Sequence, residues 1–294
     1  MRHGIVILPQ HDWPGAARRW RGAEQYGFDH AWTYDHLSWR SLAGERWHAT
    51  IPTLTAAAMV TDRIELGLFV ASPNFRHPVP FAKELATLDD ISAGRTLLGV
   101  GSGGTGFDAY VLGQKELTAR ERHDRFIEFL EALDLLLRFE PEPSNGISYD
   151  GEWFTAHEAR MVGMPSQEPR MPLLIAGNGP KTIRYAARNG DGWVTTGGTE
   201  LDREAWWNEL GALSRRFDDE YAASDRQDEI RRIVSLDIES DYTLRSVAAY
   251  EDAVGRAAAL GFTDVVAHWP RADGIHAGSE SVLEDVAALL PSLR

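Results

Sequence analysis

Apolar positions follow two alternating rhythms along the chain. Short, nearly unbroken apolar runs alternate with longer stretches whose apolar residues recur every three to four positions. The runs are His3–Leu8, Phe28–Tyr34, Ile64–Val70, Arg95–Val100, Pro172–Ala176, Gly192–Thr196, Arg231–Ile238 and Thr263–Ala267. The helical stretches are 14–26, 51–61, 79–92, 120–139, 181–189, 203–223, 244–260 and 279–290. In 120–139 the stripe Phe126, Leu130, Leu133, Leu137 has helical spacing. Gly27 and Gly94 stand where helices should stop, and Pro52 falls in a first turn, where proline is tolerated. Strands alternating with helices predict a parallel sheet. Eight such units predict closure into a single (β/α)8 TIM barrel of the α/β class over 1–294. An open doubly wound sheet is the alternative topology. No linker divides the chain, and no internal repeat is visible.

One segment breaks the rhythm. Residues 140–169 carry Pro141, Pro143, Pro165 and Pro169. Within them an Asp150-Gly151 hairpin signal separates Ile147–Tyr149 from Trp153–Phe154. This reads as an insertion over the C-terminal mouth, of the length that often serves as a lid.

Composition narrows the function. A net charge of −14 argues against a nucleic-acid surface. The absence of cysteine excludes disulfides, thiol nucleophiles and cysteine–metal sites, and fits a cytoplasmic protein. No run has the roughly 18 apolar residues of a membrane span, and the apolar core of the N-terminus is too short for a signal peptide. Neither a membrane nor a nucleic acid is expected as a partner. The ten histidines show no ligand spacing, so no metal is expected. Several of the ten tryptophans fall in loops, where rings either pack or line a flat-ring site.

Candidate chemistry clusters just after the strands, where an α/β barrel carries its active site. Asp35-His36 follows the second strand, between Trp32 and Trp39. The pair either closes a loop or performs acid–base work. Gly99-Val-Gly101-Ser-Gly103-Gly104-Thr-Gly106 follows the fourth strand. It formally matches G-x-G-x-x-G, but no helix starts at once and the expected acid is missing, so a dinucleotide reading fits poorly. Gly177-Asn178-Gly179-Pro180-Lys181-Thr182 opens a helix whose free amides suit phosphate, and Gly197-Gly198 follows the next strand. Ordinary turns are the plainer account of these glycines. Arg76 and His77, in a loop stiffened by Pro73 and Pro78, serve either an anion or surface packing.

With these loops in place the chain resembles the bacterial luciferase-like flavin and deazaflavin oxidoreductases. The resemblance rests on Leu66–Pro73, Ala86–Arg95, Leu98–Gly103, Ile175–Lys181 and Asp191–Gly197, in this order and spacing. It implies a (β/α)8 barrel, and Asp35-His36 points to the branch using the deazaflavin coenzyme F420. Trp39 resembles an active-site tryptophan of the F420-dependent sugar-phosphate dehydrogenases. The resemblance also implies a non-prolyl cis peptide at Phe69-Val70. Two departures matter. Gly104 stands where those dehydrogenases have a glutamate, and Thr199 where they have a lysine for the sugar phosphate. Both argue against a phosphorylated sugar and against copying that acid–base scheme.

The expected enzyme transfers a hydride between F420 and a small organic substrate. Asp35 orients His36, which moves a proton as the hydride moves. Asp35, Phe69, Val70, Ala71, Ser72, Ser102 and Gly103 are expected around the ring and ribityl chain. Gly177, Asn178, Gly179, Lys181, Thr182, Gly197 and Gly198 are expected under the phosphate-bearing tail. Gln10, His11, Trp13 and Trp39 are expected to face substrate. A homodimer is a further implication of the resemblance. The alternatives are an FMN-dependent monooxygenase supplied by a separate reductase, and a non-catalytic flavin-binding barrel with no use for Asp35-His36.

Overall fold

A computed structural model describes residues 1–104, 106–140, 145–163, 165–199, 201–238 and 241–294. The chain opens with β1 (Arg2–Val6), α1 (Trp13–Gln25), β2 (His30–Thr33), α2 (Thr50–Ala58), β3 (Glu65–Ala71) and α3 (Pro78–Ile91). Then come β4 (Thr96–Gly101), α4 (Phe107–Val111), α5 (Ala119–Leu137) and the hairpin β5 (Ile147–Asp150) and β6 (Thr155–Ala159). The remainder is β7 (Leu173–Ala176), α6 (Pro180–Asn189), β8 (Gly192–Thr195), α7 (Arg203–Ala222), β9 (Arg231–Ser235), α8 (Val247–Ala259), β10 (Asp264–His268) and α9 (Glu280–Leu293). Eight parallel strands form a closed barrel in the order β1-β10-β9-β8-β7-β4-β3-β2, as the alternation predicts. Among the described residues no helix is long and apolar enough to cross a membrane.

The chain divides into two compact units. One comprises Met1–Leu8, Arg18–Trp32 and Leu173–Arg294, and the other Pro9–Ala17 and Thr33–Pro172. In the first unit Trp20, Trp32, Trp193, Trp206 and Tyr250 are wholly buried. Its strands also enclose charge. His30 Nε2 meets Asp264 Oδ1 at 3.0 Å and Arg231 Nη2 donates to the same oxygen at 2.5 Å. Burial alone would raise the Asp264 carboxyl, but His30 and Arg231 outweigh it and hold the group well below the usual carboxylate range.

In the second unit Phe81, Phe126, Phe129, Leu54 and Leu66 form the buried centre. Helix α5 starts at a capping box, with Thr118 accepting from the Glu121 amide and Glu121 reaching back to the Thr118 amide. The insertion is fastened to this helix. The Glu128 carboxylate accepts from the amides of Glu152, Trp153 and Phe154 at 3.0, 2.8 and 2.7 Å. The turn therefore spans Gly151–Phe154, and the second strand starts at Thr155 rather than at Trp153. Pro141, Pro143 and the rest of 141–144, with Met164, lie outside the described residues of the insertion.

Candidate active site

The second unit holds the Asp35-His36 pair, on the loop that leaves β2. Asp35 is 1% exposed, and its carboxylate is engaged by Arg76. Arg76 Nη2 donates to Oδ1 at 2.7 Å and Nε to Oδ2 at 3.1 Å. The third arm of the guanidinium reaches Glu84 at 3.0 Å, and its carbon lies 4.8 Å from the ring centres of both Phe75 and Phe81. The expectation that Asp35 orients His36 is therefore corrected. Both Asp35 oxygens are bonded to Arg76, which is neither a free anion site nor surface packing.

His36 is held by a residue that sequence reasoning missed. Its Nδ1 lies 2.7 Å from Asp108 Oδ2, and Asp108 Oδ1 accepts from the Leu37 amide at 2.7 Å. Asp108 belongs to α4, a five-residue helix behind the strand-four glycines, too short to show a period. The Trp47 indole donates to the His36 carbonyl at 2.9 Å. The His36 ring lies 4.6 Å from Trp39 and 6.2 Å from Tyr34. Trp39 thus lies against His36. Gln10 donates to Glu45 at 2.6 Å, His11 is half-buried, and Trp13 opens α1 and is 43% exposed.

The strand-three and strand-four loops are stitched together beside this cluster. Phe69-Val70 is a cis peptide at the end of β3, where the resemblance placed one. Phe69 stacks on Tyr34 at 6.5 Å, and Ala71 and Ser72 are buried behind it. Asn74 donates to the Gly103 carbonyl at 3.0 Å and accepts from Arg125 at 2.5 Å. Gly103 has φ +70°, and a Cβ there would lie 2.3 Å from Asn74 Nδ2, so only glycine fits. Ser102 is half-buried next to it.

The first unit contains the remaining glycine loops. Asn178 Nδ2 donates to the Gly197 carbonyl at 2.8 Å, and Asn178 Oδ1 accepts from Thr195 at 2.7 Å. The Gly177 amide and carbonyl are engaged by the Val194 carbonyl and the Trp193 indole. Helix α6 begins at Gly179 with no side-chain cap and Pro180 in its first turn. The first-turn amides of Lys181 and Thr182 thus lack intrahelical acceptors, as an anion site requires. Gly198 differs from expectation, because its amide donates to Glu209 Oε2 at 2.6 Å. A carboxylate of α7 thus engages the Gly198 amide.

The same unit brings together three residues that sequence spacing left scattered. Asp237, His268 and His276 are buried, and each offers a ligand atom within 4.8 Å of the others. His268 Nδ1 meets Asp237 Oδ2 at 2.8 Å, and the two imidazoles stack at 3.8 Å. Burial pushes His276 down to about 3, with His268 acting in the same direction. Asp237 also accepts from the amides of Thr243 and His268.

Comparison with known proteins sets the family. The family model for luciferase-like monooxygenases matches residues 1–289, and the chain belongs to that family. An F420-dependent glucose-6-phosphate dehydrogenase of Intrasporangium calvum is 32% identical over 222 residues, covering 74% of this chain and 63% of the relative. The protein of the same description from Beutenbergia cavernae is 38% identical over 178 residues, covering 60% of this chain and 50% of the relative. The chain thus spans less than two thirds of the length of either relative. A solved F420-dependent secondary alcohol dehydrogenase, bound to an F420–acetone adduct, shares the fold at TM-score 0.82 and 18% identity, covering 100% of this chain and 99% of its own.

Proposed function

We propose that this protein is an oxidoreductase that transfers a hydride between coenzyme F420 and a small organic substrate. One observation carries the reading. In a chain whose named relatives are F420-dependent, His36 stands beside Trp39 with Nδ1 engaged and its ring 18% exposed. F420, when bound, accepts or donates the hydride. His36 takes up or delivers the matching proton at Nε2, the nitrogen left after Nδ1 is taken. An imidazole suits that task near neutrality.

The residues present fit the coenzyme. The uncapped start of α6 offers the amides of Lys181 and Thr182 to a phosphate. Phe69, Val70, Ala71, Ser72, Ser102 and Gly103 are the proposed ring and ribityl contacts, and Gly177, Asn178, Gly179 and Gly197 complete the tail contacts. Asp35 serves them through Arg76, as a fixed wall of the loop. Gly104 and Thr199, in place of a glutamate and a lysine, favour a substrate without a sugar phosphate. A single-domain, cytoplasmic homodimer completes the proposal.

The test is titration of the protein with F420 and, separately, FMN, followed by fluorescence, then turnover of F420 in a His36→Ala variant. Preferential F420 binding is expected, with turnover reduced about 10²–10⁴-fold in the variant and binding little changed. Preference for FMN, or equal loss of binding and turnover in the variant, contradicts the reading.

A further inference from the structure

We propose that Asp108 is the positioning residue of His36, fixing the imidazole in the Nδ1–H tautomer and leaving Nε2 as the atom that carries the proton. The inference deepens the proposed function and rests on His36 being the proton-moving group.

Three observations converge. Asp108 is 1% exposed, yet its carboxylate turns away from its own helix and spends both oxygens on the loop after β2. Helix α4 has Gly106 as its N-cap and no side-chain cap, so Asp108 is not occupied in capping it. An ionised carboxylate only accepts hydrogen bonds, so the 2.7 Å contact at Oδ2 requires the hydrogen to sit on His36 Nδ1. The Leu37 amide at 2.7 Å on Oδ1 fixes the carboxylate in turn, and hence the direction from which it meets the ring.

The neighbours close the other options. Asp35, adjacent in sequence, is fully engaged by Arg76. Trp39 lies along the imidazole at 4.6 Å, and Trp47 holds the His36 carbonyl. A flipped ring would forfeit a charge-assisted bond, among the stronger kinds of hydrogen bond. The device also ties the strand-four glycine loop to the reacting side chain, because Asp108 follows that loop directly. A merely structural Asp108 would hold Leu37 and α4 in place without governing which nitrogen of His36 bears hydrogen.

The experiment is ¹⁵N NMR of the full chain labelled at histidine, in wild type and Asp108→Asn, with His36→Gln to assign the signals. At a pH where the ring is neutral, wild type is expected to show a protonated Nδ1 and a bare Nε2. In Asp108→Asn, whose amide can still accept from Leu37, the Nε2–H form should appear. F420 turnover should fall about 10²-fold, the low end for acid–base groups, with F420 affinity nearly unchanged. An unchanged tautomer in the variant overturns the proposal, as does an equal loss of affinity and turnover. A wild-type His36 protonated on Nε2 overturns it whether or not the variant folds. Absence of F420 turnover in wild type would refute the proposed function instead, while the tautomer still decides the positioning role.

Discussion

Replacing Arg76 with Met should unbalance the loop after β2 more than any other single change there. Asp35 and Arg76 side chains are 1% and 15% exposed, so their pairing is screened little by solvent. Two charge-assisted bonds join them, at 2.7 and 3.1 Å. Such bonds contribute about 1.5–3 kcal/mol each. The Glu84 arm adds little, because that carboxylate is 44% exposed. Met retains apolar contact with Phe75 and Phe81 but strands a buried carboxylate. The expected loss is about 3–5 kcal/mol, the usual consequence of removing one partner of a buried pair. Urea unfolding followed by tryptophan fluorescence measures it. A second variant, Arg76→Met with Asp35→Asn, removes the orphaned charge and should recover much of the loss. A loss below about 1 kcal/mol would place the pair among ordinary surface bridges and refute the reasoning. A double variant as unstable as the single one would show that the stranded charge is not the cause.

Two other perturbations bear on the first unit. Glu209→Gln keeps an acceptor for the Gly198 amide while removing a negative charge from the loop proposed to receive the coenzyme tail. F420 affinity should rise about two- to fivefold at low salt and less at high salt, and an affinity insensitive to the substitution at both salts rules out competition at Gly198. Acidification should destabilise the protein through its buried neutral histidines. Burial pushes His3 down from 6.5 to about 4 and His276 to about 3. Below pH 6.5 the unfolded chain then binds protons that the folded one does not, so stability falls as pH drops towards 4 for His3 and 3 for His276. The slope is up to about 1.4 kcal/mol per pH unit for each group. Thermal melts between pH 7 and 4 check this, and a flat Tm would show that neither histidine is kept neutral.

The barrel was readable because buried parallel strands are continuous apolar runs and their helices carry caps and stops. Several boundaries shifted: the strand read as Phe28–Tyr34 is His30–Thr33, and the one read as Arg231–Ile238 ends at Ser235. The helix read from Leu244 begins at Val247, because Ser246 caps it and a 3₁₀ turn, Thr243–Arg245, precedes it. His36 and Trp39 were legible because they sit in one short loop. Their partners were not. Arg76 lies 41 residues beyond Asp35, and Asp108 lies 72 beyond His36. Neither distance leaves a period in the sequence. Adjacency misled at Asp35, whose carboxylate meets Arg76 while His36 meets Asp108. Glu209 falls within the helix read at 203–223, and only the fold sets it against Gly198.

The hairpin turn on Glu128 has a consequence for how this chain can vary. Its anchorage runs through peptide amides, which every residue but proline supplies. Side chains constrain two positions of the turn: a Cβ at Gly151 would lie 2.1 Å from Glu128 Oε1, and the Phe154 ring is buried against Phe129. Glu152, whose side chain is exposed, is therefore open to exchange while the hairpin stays fastened. One acidic residue on a rigid helix thus separates the attachment of the insertion from the identity of its tip. Descendants of this chain can retune what the tip touches without first having to reinvent how it is held.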